Sequence, residues 1–327
     1  MQIWKRKGVL IAITILVLLL IPLIRKGIYL YQNKDGIPGG KVYKEREDFI
    51  FPYTLTHPSN KFKLPHRLDE ISGLSYFTEN RLICIEDEIG AMYEFDIERG
   101  EVIEEFKFGE GRDCEDIEIV KKIAYILQSN GTILQIRDFE NAAPKIRKIN
   151  TKLSRKNDTE GLAFDEGSNA LLVACKGSPY LKKKCKELKG KRAIYRFDLD
   201  AEEILEEPAC IIDLESLKNT AGDLLTRKSF IGLFKIFDQA EEDIDFRPSG
   251  IAVHPKTKDI YIISSVDRML VVCNRNGEML AAEELNKKVF RQPEGICFNP
   301  EGDLFISNER KGSRANILMF KYNQKGS

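Results

Sequence analysis

The chain has 327 residues, 43% of them hydrophobic, which is enough apolar side chain for one large domain or two small ones. Lys plus Arg and Asp plus Glu each number 51, so net charge gives no ground for a nucleic-acid partner. Seven cysteines without C-x-x-C spacing argue against a zinc ribbon and against a disulfide framework, leaving buried thiols as the expected state.

Gly8 to Ile24 is an uncharged, almost wholly apolar run, preceded by Lys5, Arg6 and Lys7 and followed by Arg25 and Lys26. At about 1.5 Å per residue it reaches roughly 26 Å, and flanking Lys and Arg side chains extend that toward the ~30 Å hydrocarbon core of a bilayer. No A-x-A pattern follows it, so the run reads as an uncleaved signal anchor and not as a cleaved signal peptide. The cation excess before the span places the amino end inside and the folded domain outside the cytoplasm. Residues 1–27 are thus a membrane anchor, and 28–48, with Gly36, Pro38, Gly39 and Gly40, a linker.

Residues 49–327 read as repeats. Short acidic motifs open strand-like segments at Glu70-Ile71-Ser72-Gly73-Leu74, Cys114-Glu115-Asp116-Ile117, Thr159-Glu160-Gly161-Leu162, Pro248-Ser249-Gly250-Ile251 and Pro293-Glu294-Gly295-Ile296. The intervals Glu70 to Glu115, Glu115 to Glu160 and Ser249 to Glu294 are each 45 residues, while Glu160 to Ser249 is 89. A period in the forties filled with short strands predicts a β-propeller of four-stranded blades.

The first repeat offers strands at 71–77, 81–85, 91–96 and 102–108, and the second at 117–120, 123–127, 132–136 and 145–149, with Asn130-Gly131 as a hairpin turn. The fourth offers 251–254, 259–264, 269–273 and 278–283. In the fifth, 295–298, 303–307 and 317–322 lack a fourth strand. One of the two strand-like pieces ahead of the first repeat, Tyr53–Thr56 or Lys61–Leu64, is expected to supply it and close the ring. The 89-residue interval could hide a sixth blade. The offsets of its flanking strands instead account for the excess as a loop from Gly177 to Arg192 and an insertion over 215–245 whose Leu217, Ala221, Leu224 and Ile231 follow helical spacing. The prediction is an all-β, five-bladed propeller with an amino-terminal transmembrane helix and a helical insertion between blades 3 and 4. That insertion would cap the disk or act as a lid over its channel.

The second strand of a blade runs antiparallel to the first, so its end shares a face with the acidic motifs. Glu86, Asp87, Gln128, Lys176, Ser265, Asn308 and Glu309 stand there as a candidate ligand-binding face. Arg67, Arg112, Arg247 and Arg291, just ahead of the motifs, form a candidate basic ring. Two roles compete for Glu70, Glu115, Glu160 and Glu294. Carboxylates around a narrow channel could hold Ca²⁺, which takes six to eight oxygen ligands. Alternatively each glutamate accepts backbone N–H bonds from the next blade or pairs with an arginine, as a joint between sheets.

Other chemistry is weaker. His57, His66 and His254 fit no zinc-ligand spacing, and no G-x-S-x-G elbow or Walker loop occurs. The basic run Lys182–Arg192 reads as a solvated hairpin tip, with anionic lipid as the alternative contact, and Cys175 and Cys185 would pair only in an oxidising compartment.

As a set, the motifs around Glu70, Cys114, Glu160 and Glu294, together with Pro248-Ser249-Gly250-Ile251-Ala252-Val253-His254-Pro255, resemble the SdiA-regulated family of bacterial propellers, itself related to NHL-type propellers. The resemblance implies an amino-terminal membrane segment and an extracytoplasmic propeller, and no established reaction. The favoured expectation is a tethered propeller that binds a ligand or protein partner at its polar channel face. A calcium-dependent hydrolase of phosphate or carboxylic esters, suggested by more distant phytase-like and lactonase-like propellers, and a structural envelope scaffold are the alternatives.

Overall fold

The computed structural model describes residues 42–46, 49–109, 113–181, 188–217 and 245–323. The chain divides into a unit of residues 1–40 and a unit of residues 41–327, and every described residue belongs to the second. The predicted span, 8–24, lies outside the described residues, as does nearly all of the predicted insertion, of which only a helical turn at 214–217 is seen.

In chain order the strands are β1 (Val42–Glu45), β2 (Asn60–Lys63), β3 (Ile71–Thr78), β4 (Arg81–Glu86), β5 (Ala91–Asp96), β6 (Glu101–Lys107), β7 (Cys114–Val120) and β8 (Ile123–Gln128). They continue as β9 (Ile133–Arg137), β10 (Lys145–Ile149), β11 (Thr159–Asp165), β12 (Ala170–Cys175), β13 (Lys191–Asp198), β14 (Glu203–Ile204) and β15 (Cys210–Asp213). The remainder are β16 (Pro248–Val253), β17 (Ile260–Ser264), β18 (Met269–Cys273), β19 (Met279–Glu284), β20 (Pro293–Phe298), β21 (Leu304–Asn308) and β22 (Asn316–Phe320). They form five antiparallel sheets with β3, β7, β11, β16 and β20 innermost. These five strands pack on one another in a closed cycle, and β11 meets β16 directly, so no sixth blade stands in the long interval. The protein is an all-β, five-bladed propeller.

Blade 5 is completed from the amino-terminal side: β2 pairs with β22 over Asn60↔Met319 to Lys63↔Asn316. The stretch read as linker adds β1 to the outer edge of blade 4 through β19. The piece Tyr53–Thr56 is not a strand. Phe51, Tyr53 and Leu55 are buried instead, as an irregular strap against Tyr261, Phe298 and Tyr322 of blades 4 and 5. Aromatic residues with high strand propensity have here found a tertiary site that outweighs it.

Middle strands such as β12 (ALLVAC) and β17 (IYIIS) are buried throughout because both sheet faces meet a neighbouring blade. Ile83, Ile85, Ile117 and Ile126 fill the interface of blades 1 and 2, and Leu127, Leu162, Leu171 and Val173 that of blades 2 and 3. Burying each such side chain stabilises by about 1.5–3 kcal/mol. The six described cysteines, Cys84, Cys114, Cys175, Cys210, Cys273 and Cys297, are buried free thiols within this packing, as expected. Cys185 lies outside the described residues.

Contact between inner strands is close enough to dictate glycine. A Cβ on Gly73 would lie 2.7 Å from Asp116 Cα, and one on Gly295 3.0 Å from Leu74 N. Hydroxyls reinforce these joints. Ser72 Oγ donates to Cys114 O at 2.8 Å, Thr159 Oγ1 to Gln128 O at 2.8 Å and Ser249 Oγ to Pro293 O at 2.9 Å.

Candidate functional site

Each inner strand begins with an irregularity in its pairing to the second strand, between Ile71 and Gly73, Cys114 and Asp116, Thr159 and Gly161, Pro248 and Gly250, and Pro293 and Ile296. Such a bulge leaves one residue outside the ladder and re-aims its side chain. The equivalent residues are therefore Ser72, Glu115, Glu160, Ser249 and Glu294. Glu70 stands two places ahead of its blade's bulge, so its 45-residue distance from Glu115 is fortuitous.

At this end of the ring the bulges open onto a cavity of about 280 Å³, lined by Glu70, Ile71, Ser72, Asp87, Glu115, Glu160, Lys176, Gln292, Glu294 and Glu309. All four motif glutamates are there, joined by Asp87, Lys176 and Glu309 from the second-strand ends. Blade 4 contributes nothing, because Ser249 is turned to the Pro293 carbonyl and Ser265 lies in the turn beyond β17.

The other second-strand residues point elsewhere. The buried Glu86 carboxylate accepts from the Ile89 and Glu88 N–H groups and shapes its own turn. Asn308 is buried and bonds Val289 O and Asn316 Oδ1. Gln128, whose backbone oxygen takes the Thr159 hydroxyl, is not among the residues lining the cavity. In blades 1, 3 and 5 it is the residue after the second strand, Asp87, Lys176 and Glu309, that faces the channel.

The basic ring does not assemble. Arg67 lies over the Tyr93 ring at 5.6 Å, Arg247 pairs with Asp245 at 2.7 Å, and Arg291 donates to Lys311 O at 3.4 Å. Arg112 lies outside the described residues. Nor are the motif glutamates joints: among the described residues, no backbone N–H of a neighbouring blade donates to Glu70, Glu115, Glu160 or Glu294. Ser72, Thr159, Ser249 and Asp116 do that work, Asp116 Oδ2 accepting from Leu162 N at 2.7 Å.

Among the described residues, six carboxylates thus share the cup with one cation. Lys176 Nζ donates to Glu160 Oε1 at 2.7 Å. Burial works against the lysine's charge, but Glu160 beside it holds its pKa above the ordinary value. Burial also raises Glu160, with Lys176 opposing. Burial, then the Glu160 charge, push Glu115 up to about 8, and burial with Glu160 and Glu309 does the same for Glu294. Glu309 rises to about 7 through burial and the Glu70 carboxyl hydrogen-bonded beside it. Asp87 is raised by burial and by Glu70, and its Oδ1 is buried without a partner.

Sequence reasoning missed Ser72 and Gln292. Aligning the repeats on the glycine of Ser72-Gly73, Glu160-Gly161, Ser249-Gly250 and Glu294-Gly295 would have found Ser72, since the glycine marks the bulge. It also missed Glu118, which takes the Ser75 hydroxyl and the Phe164 N–H and is pushed up to about 8 by burial.

Calcium is suited by carboxylate oxygens, but the spacing does not suit it: among the described residues, no group of three or more His, Cys, Asp or Glu side chains is placed to hold a metal ion.

The family model described as SdiA-regulated matches residues 59–226, just over half of the chain. The chain belongs to the SdiA-regulated family. The match to this family covers blades 1 to 3 and therefore most of the cup's carboxylates, Glu70, Asp87, Glu115 and Glu160 among them. No curated protein matches the sequence. Among solved structures, glutaminyl cyclase from Myxococcus xanthus is 10% identical with a TM-score of 0.51, over 82% of this chain and 96% of that one. The PQQ-bound aldose sugar dehydrogenase from Streptomyces coelicolor is 10% identical with a TM-score of 0.47, over 88% and 99%. Virginiamycin B lyase from Staphylococcus aureus is 13% identical with a TM-score of 0.42, over 79% and 68%. At these identities the likeness is one of fold.

Proposed function

We infer that this member of the SdiA-regulated family is a binding propeller, tethered to a bacterial membrane by residues 8–24 with the disk outside the cytoplasm, whose cup takes a small organic cation. The supporting observation is the cup itself: about 280 Å³ in volume, with six carboxylates from three blades and blade 5 facing one lysine that is already paired. Without a ligand, raised carboxylate pKa values keep the site partly protonated near neutrality. An ammonium or guanidinium group replaces those protons and spreads its hydrogen bonds over several carboxylates, without demanding the tight convergence that a metal needs.

The test is calorimetric titration of the full chain in detergent with putrescine, spermidine, arginine amide and Ca²⁺, in two buffers of different ionisation heat. Amine binding with proton release is expected, weakening on acidification and lost in the Glu115→Gln, Glu294→Gln variant. Failure of every amine to bind sinks the reading, and calcium binding in their place restores the metal reading.

One observation favours a hydrolytic alternative. Burial and Glu70 beside it raise Glu309 to about 7, which suits general acid–base work at neutral pH. Anionic phosphate esters are poor candidates for so acidic a cup, leaving neutral or cationic carboxylic esters for an activity panel run on wild type and Glu309→Gln.

A further inference from the structure

On the face opposite the cup, where β16 ends, His254 is fully buried. Its ring is boxed by Phe298 at 4.9 Å, Tyr322 at 5.0 Å, Tyr261 at 5.9 Å and Tyr53 of the strap at 6.4 Å between centroids. Nδ1 accepts from the N–H groups of Lys256 and Thr257 at 3.2 and 3.1 Å, which fixes the neutral tautomer with its hydrogen on Nε2. Nε2 is buried and has no partner.

The imidazole can become charged only by taking a proton on Nδ1, where two backbone donors already point. Three N–H groups would then face one another, and the turn 254–257 must open. The charged groups around the box do not help. The cations Lys256, its Nζ 4.8 Å over the Tyr322 ring, and Lys258 both oppose a second positive charge. Asp303 is engaged by Lys321 and by the Tyr322 N–H, and Asp259 meets His254 through backbone, its carbonyl accepting from the His254 N–H. The phenols of Tyr53 and Tyr261 stay neutral, burial raising both further.

We propose that His254 is an acid-sensitive latch: its protonation opens the turn 254–257 and frees the strap 49–56 from blades 4 and 5. The strap is held by the same box. Tyr53 stacks in it and donates to Gly302 O at 2.6 Å, while a Cβ on Gly302 would itself lie 3.2 Å from His254 Nε2. Freeing the strap loosens β2, the strand that closes blade 5, and so relaxes the ring at one seam. Burial, followed by the two lysines, brings the His254 pKa down to about 4. The acid response therefore belongs to strongly acidic surroundings.

Hydrogen exchange by mass spectrometry on the full chain, corrected for intrinsic rates, tests the latch at about pH 7 and about pH 4. Protection of residues 49–63 is expected to fall at least about tenfold in acid while β8 and β9 keep theirs. His254→Asn cannot titrate and keeps a side-chain oxygen for the Lys256 and Thr257 N–H groups, so it is expected to hold protection within about twofold, and His254→Gln serves the same purpose should the asparagine variant fail to fold. Unchanged protection in wild type overturns the latch. So does equal loss in the non-titrating variant, or loss of protection by β8 and β9 together with the strap.

Discussion

Ser72 and Ser249 occupy the same place in blades 1 and 4, and each hydroxyl donates to the carbonyl that opens the next blade, Cys114 O at 2.8 Å and Pro293 O at 2.9 Å. In three other blades a glutamate stands at that place and looks into the cup. Serine therefore seals a joint where glutamate would offer a ligand. Replacing either serine by alanine is expected to cost about 1 kcal/mol, from loss of the bond and a carbonyl left unpaired. The two joints share no partner, so the costs should add in the double variant, as read by urea denaturation.

Among the described residues Lys176 is the one cation lining the cup, and Glu160 is buried beside it. Lys176→Met leaves that carboxylate unpaired among five others. The expected cost is about 1–3 kcal/mol near neutral pH, shrinking as acid protonates the cup. Adding Glu160→Gln should recover most of it in a thermal melt.

The cup and His254 bias stability in opposite directions. Glu115, Glu294 and Glu309 have folded pKa values of about 8, 8 and 7, above their ordinary 4.5, so the folded state binds the extra protons. Their contribution is fully present below about pH 4.5 and is lost as pH rises toward 8. His254 has a depressed pKa, so the unfolded chain binds its proton first, and stability falls as pH drops from about 6.5 toward 4. The two windows overlap between about pH 4.5 and 6.5, where three glutamates outweigh one histidine, so these four groups together should lower the melting temperature as pH rises through that range. Glu115→Gln should flatten the fall toward pH 8 by about 1–2 kcal/mol, after allowance for solvent screening in an open cup, and His254→Asn should remove the opposing slope of the histidine.

Gly73 is pressed against the Asp116 backbone, which cannot yield as a side chain tip would. Gly73→Ala is expected to cost about 2–3 kcal/mol by pushing blades 1 and 2 apart. Gly109, with no atom near its added Cβ, has a φ of +119° and is a poor control, whereas Glu79→Ala on an exposed turn should fall within about 0.5 kcal/mol.

Much of the fold was legible because strand alternation and turn residues are local signals. The ranges 91–96, 145–149 and 269–273 coincide with β5, β10 and β18. The turns at Asn130-Gly131 and Asn276-Gly277 place both glycines at positive φ. Blade number and ring closure followed from spacing. The site was half legible: Glu115, Glu160, Glu294, Asp87, Lys176 and Glu309 do converge. Glu86 and Asn308 were one residue out of phase, an error that strand alternation turns into the opposite face. The arginines were misread because their partners, Tyr93, Asp245 and the Lys311 carbonyl, lie within their own blades or loops. The serine joints were hidden because their acceptors belong to another blade, and nothing in the local sequence announces a carbonyl some forty residues away.

Because Asn60–Lys63 pairs with Asn316–Met319, a nascent chain carries β2 as an unsatisfied strand until β22 has been made. Closing so long a loop is slow, and a waiting edge invites the wrong neighbour. The strap's aromatic residues adjoin that strand and dock on blades 4 and 5, so their arrival on those blades would deliver the closing strand to its mate.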